Sequence, residues 1–127
     1  MIYFAHPINT YNTPLETKVL ELIQKEFPNK TIFNPNHPYI EHLYKKKGIE
    51  VFRELVELCD SLICLPFKNG EIGAGMAKEI NWAFEKNIPC YYIREISPSH
   101  PLRYERINTL FGYIILSIEQ TREKLKK

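Results

Sequence analysis

Ser61-Leu62-Ile63-Cys64-Leu65, followed after a loop by Gly73-Ala74-Gly75-Met76-Ala77-Lys78-Glu79-Ile80-Asn81-Trp82-Ala83-Phe84-Glu85-Lys86-Asn87-Ile88-Pro89, is the stretch on which the fold turns. After Ser61 the first block is apolar throughout, as a central strand of a parallel sheet is when both its faces are covered. The second block reads as a helix. At about 100° per residue, Ile72, Met76, Ile80 and Ala83 make one apolar stripe. Glu79 lies about 60° from the centre of that stripe, while Lys78 and Glu85 project from the opposite, solvated side. Burying an ionised carboxylate is costly unless it is paired or hydrogen-bonded. The position therefore implies a cleft rather than a dry core. A half-buried carboxylate behind a glycine-rich turn is a candidate nucleophile or base.

The flanking sequence repeats the same alternation. Ile2-Tyr3-Phe4-Ala5 reads as a short buried strand and residues 6–12 as a loop. Thr13-Pro14-Leu15-Glu16 opens a helix, with Thr13 as N-cap, Pro14 at the first helical position and Glu16 at the reciprocal capping-box site. Thr31-Ile32-Phe33 is a second strand, ended by Asn34-Pro35-Asn36-His37-Pro38. A short helix follows over Tyr39 to Lys47, then one whose core face is Ile49, Phe52, Leu55, Val56 and Cys59. Ile88 to Ile93 forms the strand after the Glu79 helix, and Ser97-Pro98-Ser99-His100-Pro101 is a loop. Tyr113-Ile114-Ile115-Leu116 reads as a last short strand, and Ser117, with Gln120 three residues on, caps a C-terminal helix. The pattern predicts a single α/β domain over residues 1–127, with an open, mostly parallel sheet of the flavodoxin/Rossmann-like kind and helices on both faces. Ligands in such sheets bind beyond the carboxyl ends of the strands, which points to loops 6–12, 34–38, 66–72 and 94–101.

Composition narrows the function classes. Apolar residues make up 44% and charged residues 25% of 127 residues, ordinary for one globular domain. A formal net charge of +2, with scattered Lys and Arg, gives no extended basic stripe for nucleic acid. Cys59, Cys64 and Cys90 lack metal-type spacing and read as small core residues in a reducing compartment. His6, His37, His42 and His100 are too dispersed for a metal motif, so no metal or cofactor is expected. No long apolar run or signal peptide stands out, and the expectation is a cytoplasmic protein without a membrane partner.

Three segments, in order, resemble the nucleoside 2-deoxyribosyltransferase-like superfamily, which includes nucleoside deoxyribosyltransferases and nucleotide N-glycosidases. They are Ile2-Tyr3-Phe4-Ala5-His6-Pro7, Cys59-Asp60-Ser61-Leu62-Ile63-Cys64-Leu65, and Gly75-Met76-Ala77-Lys78-Glu79-Ile80-Asn81-Trp82-Ala83 with Lys86 and Ile88-Pro89. Taken alone, Glu79 reads as a surface carboxylate satisfied by a lysine or by backbone amides. The resemblance makes it the nucleophile that attacks the anomeric carbon of a nucleoside or nucleoside 5′-monophosphate and expels the base. It makes Tyr3 the partner of that carboxylate. It leaves Glu71 or His6 to face the base, and sets Pro7, Gly73, Gly75 and Met76 around the substrate.

The glycine turn also reads as leaving amides at a helix N-terminus free for a phosphate or carboxylate. The resemblance further implies a homo-oligomer, a dimer or larger, whose subunits complete one another's sites. The chain departs from the family at His6, in place of a glycine, and at Asn81, again in place of a glycine. It departs most at Phe52-Arg53-Glu54, on the helix before Asp60, where an aspartate that holds sugar hydroxyls is expected; Glu54 or Arg53 is left as its substitute. Two other readings stay open: a non-catalytic nucleotide sensor of the same fold, and a hydrolase of another ribosyl compound such as NAD.

Overall fold

The computed structural model describes residues 1–97 and 102–126. The elements run β1 (Ile2–Ala5), α1 (Pro14–Glu26), β2 (Ile32–Phe33), α2 (Pro38–Lys47), α3 (Glu50–Glu57), β3 (Ser61–Cys64), α4 (Ala74–Glu85), β4 (Cys90–Glu95), β5 (Arg103–Ile107) and α5 (Ile118–Leu125). The strands form one sheet in the order β2-β1-β3-β4-β5. All neighbours are parallel except β4 and β5. The α/β fold and mostly parallel open sheet are those expected from the sequence.

Alternation along the strands splits the core in two. Tyr3, Ala5, Leu62 and Cys64 turn to the face covered by α3 and α4, where they meet Val56, Ile72, Met76, Ile80 and Ala83. Ile2, Phe4, Ile63 and Leu65 turn to the other face, where α1 supplies Val19 and Ile23. Helices therefore cover both faces. The chain leaves β1 toward β2 on one side and returns to β3 on the other. That reversal opens a crevice at the carboxyl ends of β1 and β3.

Three local expectations are corrected, and one strand is added. Thr13 caps α1 by accepting from the Glu16 N–H at 3.3 Å, but the Glu16 carboxylate does not close a capping box. It turns to His6, Asn12 and Asn36 instead, because a buried anion gains more from several donors than from one exposed amide. In α3, Val51 and Val56 are buried with Cys59 just beyond, whereas Ile49 is exposed and Phe52 and Leu55 are half-buried. Ile49 and Phe52 face a cleft rather than the core.

The run Tyr113-Ile114-Ile115-Leu116 is not a sheet strand. It makes a single parallel bridge, Ile115 to Ile72, with hydrogen bonds on either side of Ile72. The fifth strand is Arg103–Ile107, whose charged pattern hid it. As an antiparallel edge it needs only one covered face, and Tyr104 packs there against Phe27 and Tyr91. Of the loop predicted over residues 97–101, positions 98–101 lie outside the described residues. The capping box at the start of α5 is present, with Ser117 and Gln120 bonded reciprocally.

Candidate functional site

A cleft of about 850 Å³ lies at the carboxyl ends of β1, β2 and β3. That size suits a nucleoside-sized ligand. His6 and Pro7 reach it from the loop after β1, Asn36 from the loop after β2, and Gly73, Gly75, Met76 and Glu79 from α4. Tyr44 and Phe52, from α2 and α3, add an apolar stretch of wall, their ring centroids 5.3 Å apart. Thr121 and Leu125 of α5 close another side. Among the described residues no three His, Cys, Asp or Glu side chains come together in a way that could hold a metal ion. No helix among them is long and apolar enough to cross a membrane.

Tyr3 and Glu79 meet because alternation turns Tyr3 toward α4, and because Glu79 flanks the α4 stripe on the side of the cleft. The Tyr3 hydroxyl donates to Glu79 Oε2. The Tyr3 ring is fully buried and stacked on Phe33 at 5.7 Å, so the donor has little freedom. Glu79 is half-buried as a residue, while its carboxylate lies deep enough that desolvation raises its pKa to about 7, against the opposing pull of the Tyr3 bond. Burial, and then the Glu79 charge, push the Tyr3 phenol well above its ordinary range, so Tyr3 stays a donor. Burial likewise raises Tyr11, with further contributions from Glu79 and Glu16, so this ring lies within the field of both carboxylates.

The two residues expected to face the base are otherwise engaged. Glu71 is absent from the cleft lining and pairs with Lys124 at 2.5 Å and with Asn69 at 2.6 Å. Those partners, Lys124 first, hold its carboxyl below the usual range. His6 does border the cleft, but both ring nitrogens are committed, Nδ1 to the Phe4 carbonyl at 3.0 Å and Nε2 to Glu16 at 2.7 Å. The carbonyl accepts only, so Nδ1 carries a hydrogen, and a second proton must lie between Nε2 and the carboxylate. Burial outweighs the Glu16 and Phe4 bonds and lowers the His6 pKa from its ordinary value. Burial also acts to raise Glu16, but the His6 bond, the Asn12 amide and Asn36 outweigh it and leave its pKa low.

At the N-terminus of α4 one of the amides is already engaged. The Ala74 N–H, in its first turn, donates to Thr121 Oγ1 at 2.9 Å. This contact depends on Gly73, where a Cβ would stand 3.1 Å from Thr121 Cγ2 and 3.3 Å from Phe67 Cε2. Neither residue left to replace the missing aspartate on α3 enters the cleft. Arg53 pairs with Glu57 and Glu85 at 3.2 and 3.6 Å, and Glu54 is exposed. Asp60 lies at the opposite end of β3, paired with Lys30 at 2.9 Å.

Sequence reasoning missed Tyr11, Asn12, Glu16 and Asn36. The two loops beyond β1 and β2 were marked as ligand-side, but nothing in their spacing says which side chains turn inward. Glu16, read as a cap, carried no signal of its second role. Comparison of the chain with family models, curated proteins and solved structures finds no match.

Proposed function

We propose that this protein cleaves or transfers the N-glycosidic bond of a nucleoside or nucleoside 5′-monophosphate, with Glu79 as the nucleophile. The observation that carries the reading is the Tyr3–Glu79 hydrogen bond at the sheet's ligand-binding edge, in a cleft of nucleoside size. Glu79 Oε1, the oxygen that Tyr3 does not engage, attacks the anomeric carbon as the bond from that carbon to the base nitrogen breaks. The bonding pair leaves with the base, which takes up a proton. Water or a second base then attacks the same carbon, the glycosyl ester opens, and the carboxylate is regenerated. A Tyr3 donor held on the anion also keeps charge close to the oxocarbenium-like transition state. In this reading the base draws its proton from solvent, and Tyr11, whose hydroxyl stays protonated past neutral pH, supplies a hydrogen bond to it while Glu71 and His6 are engaged elsewhere.

The working unit in this reading is a homo-oligomer. Exposed Phe111 and Ile114, at 91% and 63% accessibility, supply apolar surface for it to cover. A reducing, cytoplasmic setting fits the three free cysteines, all buried. The sensor reading draws support from Arg53 and Glu54, whose absence from the cleft leaves no α3 carboxylate to hold a sugar.

One panel separates the readings: nucleosides, their 5′-monophosphates and NAD, each assayed for free base. Base release from a nucleoside or monophosphate, lost in Glu79→Ala, is the expected result. Binding without turnover supports the sensor, release from NAD alone supports the other hydrolase, and neither binding nor release overturns all three.

A further inference from the structure

Glu16 takes no part in the steps above, yet four donor contacts converge on its carboxylate beside the cleft. Oε1 accepts from the Asn12 backbone N–H at 3.1 Å, Asn36 Nδ2 reaches both oxygens at 3.0 Å, and His6 Nε2 is 2.7 Å from Oε2. The Glu16 side chain is 8% exposed and that of His6 is fully enclosed. A carboxylate only accepts, so Asn36 must turn its NH₂ toward it, which removes the usual ambiguity of an amide's orientation. The same NH₂ lies 3.1 Å from Asn12 Oδ1, which fixes the second amide in turn. These bonds leave the pair with one donor group, Asn12 Nδ2, and one acceptor, Asn36 Oδ1. Both residues line the cleft that holds Glu79. Asn12 is held at φ 61°, a left-handed conformation uncommon outside glycine, and its N–H bond to Glu16 secures it there.

A hydroxyl is the simplest group that both accepts from one neighbour and donates to another. On the side of α2 and α3 the wall is built in part of the Tyr44 and Phe52 rings, and Arg53 and Glu54 are absent from the lining. We infer that Asn12 and Asn36 form the subsite for a hydroxyl of the substrate's sugar, with Glu16 as the positioning residue that orients both amides. Naming the sugar rests on the glycosidic reading above. The subsite would take over the task for which α3 places no carboxylate in the cleft.

The test is calorimetric binding to Glu79→Gln, in which turnover is blocked. The probes are adenosine, guanosine, cytidine and uridine, each beside its 2′-, 3′- and 5′-deoxy analogues. Loss of the contacted hydroxyl weakens binding by about tenfold, and the analogue that shows it identifies the hydroxyl. Adding Asn36→Ala, or Asn12→Gly, which keeps the left-handed backbone, abolishes that contrast and leaves the affinity of the deoxy analogue within about twofold. Glu16→Gln does the same, because an amide cannot accept from every donor gathered there; a merely structural role would weaken all probes alike. Asn12→Gly, at an exposed position, keeps the test decisive should Glu16→Gln fail to fold. An unchanged contrast, or equal weakening of every analogue, overturns the subsite alone. Failure of the intact protein to bind any parent nucleoside or its 5′-monophosphate overturns the glycosidic reading as well.

Discussion

The Tyr3 hydroxyl, in the middle of β1, donates to Glu79 Oε2 on α4, across 76 residues of sequence. Each side chain accounts for the other's position. A phenol fully enclosed in an apolar sheet needs an acceptor, and a carboxylate on the edge of an apolar stripe needs a donor. The pair is far from symmetric in charge. Tyr3 holds its proton throughout the physiological range, whereas Glu79 titrates near neutrality.

The pH dependence of base release follows directly. Desolvation raises Glu79 to about 7, and only the ionised form attacks a carbon. The rate constant kcat/KM therefore rises as pH increases, with its midpoint at about 7, and levels off above it. A profile measured between about pH 5 and about pH 9 checks this. A rate that is flat across neutrality, or that falls there, is incompatible with Glu79 as nucleophile.

Tyr3→Phe keeps the ring, its stack on Phe33 and the buried surface, and removes only the donor. Hydrogen bonds to a charged partner contribute about 1.5–3 kcal/mol, so the ionised carboxylate loses support and its pKa climbs by about one pH unit or more. The activity profile moves alkaline by the same amount. Its plateau falls as well, since the anion is no longer held in place. Thermal unfolding changes little at acid pH, where Glu79 is already neutral. An unmoved midpoint would show that the bond does not tune the nucleophile.

The α/β class, the central strand and the Glu79 helix were legible because their hydrophobic periods are long and unambiguous. The stripe Ile72, Met76, Ile80 and Ala83 is buried as its spacing demands. β5 was not legible, because an edge strand carrying Arg103, Glu105 and Arg106 shows no apolar alternation. Tyr113 to Leu116 misled for the opposite reason. It is an apolar run that packs and makes one bridge without joining the sheet. At the site, the pairing of Tyr3 with Glu79 was expected from the family resemblance, and strand alternation and helical phase explain why the two side chains meet. Glu71 and His6 failed as base-facing groups because sequence gives no view of Lys124 or Glu16, which reach them from other elements.

Arg53 and Glu54 are the positions where the sequence left room for a substitute carboxylate or guanidinium. Arg53 ties α3 to Glu85 on α4 and to its own Glu57, and neither residue lines the cleft. Exposed pairs of this kind contribute about 0–1 kcal/mol. Arg53→Ala and Glu54→Ala therefore leave base release within about twofold of the parent and lower stability by no more than that amount. A loss of about tenfold or more in kcat/KM for either variant would return the sugar contact to α3.

Glu79→Gln separates stability from function. The carboxyl titrates at about 7 in the folded chain against an ordinary 4.5, so between those values the folded state binds more protons than the unfolded one. Stability associated with this group is fully present below the unfolded value and is lost as pH rises toward the folded one. The native carboxylate thus weighs against the fold most at alkaline pH, where it is ionised and desolvated. Glutamine has the same shape, carries no charge, and still accepts the Tyr3 hydrogen through its carbonyl. The variant is accordingly more stable than the parent by about 1–3 kcal/mol near pH 8, seen as a rise in Tm of several degrees, and nearly equal to it below about pH 5. It releases no base at either pH. A parent that is the more stable of the two at alkaline pH would mean that the carboxylate is well solvated, and the argument from a sheltered nucleophile would fail at its first step.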